Sequence, residues 1–169
     1  MAFWRNYFHL TWSTKNRLPL IQPDFEEQLY SYMVKRASEL NVFVYAINGI
    51  EDHIHVIVAI PPKHSVSEVV KKLKGASSHF INHVIQPEGF FGWQGGYGCL
   101  TIGEKYLSFA ENYVRAQKQH HEDGTTNGWL ERSDKDDEGP VHKNTYPKEG
   151  SKYVRDQSGE YDALGELLF

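Results

Sequence analysis

Residues 51–58 read Glu51-Asp52-His53-Ile54-His55-Val56-Ile57-Val58, an apolar, β-branched run with two histidines at its head. As a strand, this run has one arrangement open to it. His53 and His55 take one sheet face, and Ile54, Val56 and Val58 take the other. The apolar face then needs a cover, while the opposite face carries two imidazoles. A pair of imidazoles on a rigid strand is half of a metal site. The same spacing also suits two half-exposed histidines at a strand end, and the pattern alone leaves both readings open.

The flanking sequence predicts the cover. Residues 3–14 alternate, with Tyr7, His9, Thr11 and Ser13 against Phe8, Leu10 and Trp12, and read as a first strand. Pro23 opens a helix whose first turn holds Asp24, Glu26 and Glu27, where the positive end of the helix dipole favours them. Phe25, Leu29, Tyr32, Met33, Ala37 and Leu40 form its buried stripe. Residues 41–50 and 53–60 read as a hairpin about a short turn at 49–52. Pro61-Pro62 ends it, and Ser65-Val66-Ser67-Glu68 is a capping box for a second helix that buries Val66, Val69, Leu73, Phe80 and Val84. The glycine- and aromatic-rich residues 89–101 turn into a fourth strand, and residues 104–121 form a third helix.

The order βαββαβ plus one helix predicts an α+β, ferredoxin-like or RRM-like fold. It has a four-stranded antiparallel sheet, two helices on one face, and an added C-terminal helix that bears Tyr113. His53 and His55 then face the open side of the sheet, the side on which this fold class holds single-stranded nucleic acid.

Composition narrows the class further. A lone cysteine, Cys99, excludes an intrachain disulfide framework and a zinc site built on several thiolates. It reads as a small core residue, and so little cysteine suggests a cytoplasmic protein. Residues 1–7 lack a signal pattern and no stretch approaches 18 apolar residues, so no membrane partner is expected. The net charge of −4 is unevenly placed: 12 Lys/Arg against 10 Asp/Glu through His121, then 6 against 12 in residues 122–169. Residues 1–121 therefore form a mildly basic domain. Residues 122–169 read as an acidic, mostly irregular tail, with residues 161–169 docking as a short terminal segment.

On the third helix, Tyr113 and Gln117 are four apart and share a face. A tyrosine phenol becomes a serviceable nucleophile beside a cation, and an amide oxygen is a hard ligand suited to Mg²⁺ or Mn²⁺. A tyrosine so placed also suits plain packing. His120 and His121 mark the helix C-terminus, where a cationic imidazole complements the dipole, and His9 reads as a strand residue.

Here the chain resembles a known family. His53-Ile54-His55 in its apolar setting is similar to the histidine–hydrophobe–histidine motif of single-tyrosine transposases of small bacterial insertion sequences and their repeat-associated relatives. Three further blocks agree in order: Phe8-His9-Leu10-Thr11-Trp12-Ser13-Thr14-Lys15-Asn16-Arg17, Trp93-Gln94-Gly95-Gly96-Tyr97-Gly98, and Tyr113-Val114-Arg115-Ala116-Gln117 with the residues after it. Ala116 departs from the family, where relatives often carry asparagine.

The resemblance implies that Tyr113 attacks single-stranded, hairpin-containing DNA. It implies a 5′-phosphotyrosine, one divalent ion (Mg²⁺ or Mn²⁺) on His53, His55 and Gln117, and homodimers with shared active sites in a prokaryotic cytoplasm. DNA contacts are expected from Lys71, Lys72 and Lys74 on the second helix, and from Trp12, Lys15, Asn16 and Arg17 after the first strand. Trp93 and Tyr97 suit either base stacking or packing. The alternatives are a hairpin-binding module without cleavage and a nickase of the replication-initiator or relaxase type.

Overall fold

The computed structural model describes residues 3–133. Most of the acidic tail, including the expected docking of residues 161–169, lies outside the described residues. The sheet has four strands in the order β2-β3-β1-β4, every neighbouring pair antiparallel. They are β1 (Tyr7–Ser13), β2 (Phe43–Ile50), β3 (His53–Ala59) and β4 (Gly98–Ile102). With α1 (Glu26–Glu39) and α2 (Val66–Phe80) between them, this is the expected ferredoxin-like fold.

The central register sets both faces. Trp12 pairs with Ile54 and Leu10 with Val56, while Ser13 pairs with His53 and Thr11 with His55. Leu10, Trp12, Ile54, Val56 and Val58 pack beneath Leu29, Met33 and Ala37 of α1 and Val69, Val70 and Leu73 of α2, forming the main core. Trp12 is fully buried there, edge-on to Trp93 at 6.1 Å. That corrects its reading as a DNA contact, because the indole is enclosed by the layer it was expected to project from. Trp93 resolves likewise as packing: its indole N–H donates to Ser77 Oγ at 2.9 Å.

The other face is covered as well, contrary to the open sheet expected. The third helix is broken at Ala116 into α3 (Leu107–Arg115) and α4 (Gln117–Asp123), after a single turn at Glu104–Tyr106. Ala116 has φ −92° and ψ 11°, off the helical values, so Tyr113 and Gln117 stand on either side of a kink rather than on one straight face. Ala110, Tyr113 and Val114 of α3 join Tyr7, Ala46, Ile57, Ala59, Ile102 and Leu130 in a second apolar cluster. Arg115 donates to the Tyr45 carbonyl at 2.9 Å and Asn48 donates to the Arg115 carbonyl at 2.8 Å, tying α3 to β2.

Other expectations shift for local reasons. Ser65 caps α2 by accepting from the Glu68 N–H at 3.2 Å, but the Glu68 carboxylate pairs with Lys72 instead of returning to the cap. Residues Ile81–Ile85 form a π turn, with the Gln86 N–H donating to the Ile81 carbonyl. This wider turn rotates Val84 out to 62% exposure. Cys99 is exposed on the edge strand β4 rather than in the core. No helix among the described residues is long and apolar enough to cross a membrane.

The α2 lysines divide by role. Lys71 and Lys72 are exposed, Lys72 in its pair with Glu68. Lys74 donates from Nζ to the carbonyls of Gln94 and Gly96 at 2.6 and 2.7 Å, pinning the loop before β4. Its ammonium is thus already engaged by the loop, unlike those of Lys71 and Lys72. Lys74→Met is expected to destabilise the fold by about 1.5–3 kcal/mol. Lys71→Met should stay within about 0.5 kcal/mol. Urea unfolding of the two variants checks the contrast.

Candidate functional site

The hairpin delivers both histidines to the same point. His53 begins β3, its Nδ1 held at 2.5 Å by Asp52 Oδ1, and Asp52 in turn lies 3.7 Å from the Arg17 guanidinium. His55 is held at Nδ1 by His9 Nε2 at 2.8 Å and Thr11 Oγ1 at 3.0 Å. With their Nδ1 atoms engaged, both rings aim Nε2 at Glu131 Oε2, at 3.0 Å from His53 and 3.1 Å from His55. Both imidazoles are almost wholly buried, not half-exposed.

Glu131 arrives from residues 125–133, a segment that crosses the site after α4. Gly124, in the left-handed region at φ 65°, turns the chain out of that helix. Leu130 enters the second apolar cluster, and Thr11 Oγ1 donates to its carbonyl at 3.2 Å. His121, in the last turn of α4, places Nε2 3.5 Å from Glu131 Oε2, with its ring 4.9 Å from that of His53. One donor atom from each of His53, His55, His121 and Glu131 lies within 4.8 Å of all the others.

Tyr113 closes the group. Its hydroxyl donates to Glu131 Oε1 at 3.0 Å and accepts from the Asn127 N–H at 3.0 Å. Its ring stacks on His120 at 4.7 Å and stands edge-on to His55 at 6.4 Å. One carboxylate thus separates the tyrosine oxygen from both histidines.

The electrostatics follow from burial and neighbours. Burial and the adjacent His55 bring His9 down to about 3, so it stays neutral and serves as a hydrogen-bond partner. Burial also lowers His55, against the pull of Glu131. Burial acts the same way on His53, but the carboxylates of Glu131 and Asp52 outweigh it and hold that ring above its ordinary value. Burial alone would raise the Glu131 carboxyl, yet the close approach of the His53 and His55 imidazoles holds it well below the usual carboxylate range. Burial raises the Tyr113 phenol, opposed by the Asn127 N–H.

These atoms fit a divalent ion. Gln117 is fully buried, and neither atom of its amide makes a hydrogen bond. Nε2 of His53 and of His121 also lack aligned partners, despite their closeness to Glu131. Unpartnered donors at this depth are rare without a bound species. Separations of 3.0–3.5 Å from Glu131 Oε2 match the roughly 3–3.5 Å between neighbouring ligands of an ion held at about 2.1 Å.

A model of the family described as "Transposase IS200 like" matches residues 2–117. The chain belongs to the IS200-like transposase family. Its relatives include the ISDra2 transposase TnpA of Deinococcus radiodurans, 25% identical over 115 residues, covering 65% of this chain and 82% of that one. The transposase for insertion sequence element IS200 of Salmonella typhimurium is 28% identical over 127 residues, covering 72% and 82%. Among solved structures, a putative transposase from Deinococcus radiodurans shares the fold with a TM-score of 0.55 at 24% identity, covering 69% of this chain and 95% of that chain. A REP-associated tyrosine transposase bound to a REP hairpin also has a TM-score of 0.55, at 17% identity and 76% coverage of each chain.

Within this IS200-like transposase, the structure brings together His53, His55 and Tyr113, with Gln117 buried just past the kink. Lys15, Asn16 and Arg17 lie at the rim, linked through the Arg17–Asp52 pair. Lys71 and Lys72 ride on α2, across the sheet from the histidines. Asp52, His9, His121 and Glu131 were not singled out as site residues. Asp52 and His9 were within reach of the pattern, being next to His53 and on its face of β1. Asp52→Asn keeps the shape but weakens the grip on His53. It is expected to lower Mn²⁺ affinity about 10–100-fold, measured by calorimetry, with unfolding still cooperative.

Proposed function

We propose that this transposase cuts and rejoins single-stranded DNA through a covalent phosphotyrosine. Tyr113 is the nucleophile, and a divalent ion, Mg²⁺ or Mn²⁺, is held by His53, His55 and Gln117. The observation that carries this reading is the Tyr113 hydroxyl, oriented by two hydrogen bonds and one carboxylate away from Nε2 of both histidines. When bound, the ion supplies Lewis-acid polarisation of the scissile phosphate.

The chain's own residues do the rest. Burial keeps the phenol protonated near neutral pH, and Glu131 Oε1, 3.0 Å away, orients its hydroxyl, which gives up its proton as the oxygen attacks. The bond from Tyr113 oxygen to phosphorus forms as the phosphorus–O3′ bond breaks, and the departing O3′ takes up a proton. The products are a 5′-phosphotyrosine and a free 3′-OH. One phosphoester has replaced another, so attack by a different 3′-OH rejoins the DNA without an external energy source.

A cleft of ≈ 780 Å³ beside the site is lined by Lys118 and His121 but also by Glu26, Glu51 and Glu122, so a strand lying there needs its phosphates held at the rim. Lys15, Asn16 and Arg17 are proposed to meet its phosphates. The hairpin in the solved REP-associated relative supports a hairpin partner, whose stem Lys71 and Lys72 can meet only around the sheet edge. The homodimer belongs to the same proposal, although one chain already brings its tyrosine to its own histidines.

The test uses hairpin oligonucleotides from the DNA flanking the protein's own gene, run on denaturing gels with and without Mn²⁺. Wild type is expected to give a metal-dependent covalent adduct, and Tyr113→Phe none while still retarding the DNA. An adduct in Tyr113→Phe would assign the nucleophile elsewhere. Retardation by wild type with no adduct would favour a hairpin-binding module, and nicked circles without rejoined ends would favour a nickase.

A further inference from the structure

The expected ligand set takes its third member from Gln117, but the residues that surround Nε2 of His53 and His55 are His121 and Glu131. We infer that Glu131 and His121 are ligands of the ion in this protein, so that the bound ion holds residues 125–133 in place against Tyr113. This rests on the reading above, that His53 and His55 hold a divalent ion.

Three observations converge on it. First, a carboxylate oxygen within 3.0–3.5 Å of three imidazole Nε2 atoms is the spacing of a coordination shell, and two of those nitrogens lack aligned hydrogen bonds. Second, a buried carboxylate among imidazoles needs positive charge close by, which a divalent ion supplies directly. Third, the segment is built to reach the site. Gly98 lies opposite Thr11 in the sheet, and a Cβ there would stand 2.0 Å from the Arg132 carbonyl oxygen. The absence of that one atom lets residues 125–133 lie against β4 with Glu131 over the histidines.

The carboxylate has two distinct jobs in this arrangement. Oε2 faces the histidines and Oε1 holds the Tyr113 hydroxyl, while Asn127 of the same segment donates to that hydroxyl from the other side. A segment secured by the ion therefore secures the nucleophile too. Three imidazoles and one carboxylate, joining the Gln117 amide oxygen, form a nitrogen-rich shell, which suits Mn²⁺ better than the oxygen-seeking Mg²⁺.

The test is Mn²⁺ binding by the full-length protein, without DNA, followed by calorimetry and by the spin-resonance spectrum of free Mn²⁺. Glu131→Gln and His121→Asn are each expected to weaken binding at least as much as loss of an outer-shell partner does, about 10–100-fold. Gly98→Ala removes no donor but should also weaken it, by lifting the segment. In wild type, Mn²⁺ should slow amide hydrogen exchange at Asn127, and in Glu131→Gln it should not. Unchanged or tighter binding by Glu131→Gln overturns the inference, tighter binding marking the carboxylate as a competitor of the ion. The reading beneath it fails separately, if wild type binds no Mn²⁺ or if the double variant His53→Ala, His55→Ala binds as well as wild type.

Discussion

The pairing of β3 between β2 and β1 is the constraint from which the rest of the structure follows. Side chains along a strand alternate with period two, so a slip of one residue would send His53 and His55 into the helix-side core and Ile54, Val56 and Val58 out of it. The slipped state would bury imidazoles where Leu29, Met33 and Leu73 offer no hydrogen bonds. The native register instead sets Ile54 against Trp12 and His55 against Thr11, giving each face chemically matched neighbours. Gly49, opposite Ile54, reinforces it: a Cβ there would stand 2.2 Å from the His53 carbonyl oxygen. The close contact of β2 with β3 at the hairpin end thus fixes the backbone from which His53 projects.

From that register comes the division of labour across the upper face. Toward the far end, Tyr7, Ile57, Ala59 and Ile102 are apolar and are covered by Ala110 and Val114 of α3. Toward the hairpin end, the same strands carry Thr11, Ser13, His53 and His55, which apolar groups would leave unpaired. A polar cover is required there, and it comes from the kinked part of the chain. The break at Ala116 lets α4 start in a new direction, tied to α1 by the Lys118–Glu26 pair, and brings His121 beside His53. Gly124 then returns the chain over the site. Burial, which would penalise each charge alone, here strengthens the attraction between the Glu131 carboxylate and the histidines around it.

How much of this was legible in the amino-acid order depends on the range of the interaction. The strands, the two core helices and the face taken by each histidine follow from periodicity, a local signal, and they appear as expected. Tyr113, singled out by the order of four motif blocks, lies edge-on to His55. Where the reading departs from the structure, the cause is long-range packing: Trp12 resembles a surface DNA contact because aromatic side chains near a loop often are, but it is claimed by Trp93, far along the chain. Glu131 was hidden in an acidic, glycine-broken stretch whose composition suggests a tail. Its role comes from contacts spanning 76 residues to His55 and 18 to Tyr113, and no periodicity reports those.

The placement of Glu131 also bears on how a DNA strand would meet the tyrosine. Residues 125–133 shield the Tyr113 hydroxyl from the β4 side, where His9, Thr11, Leu130 and their neighbours leave a cavity of only ≈ 70 Å³. The opposite side is different. His121 belongs both to the cluster around Glu131 and to the lining of the larger cleft, whose other wall includes Pro19 and Ile21 from the loop after Lys15, Asn16 and Arg17. That cleft sets His121 and Lys118 alongside Glu26, Glu51 and Glu122. The same imidazole thus stands where the cleft meets the site, and the cleft opens beside residues 125–133 rather than through them.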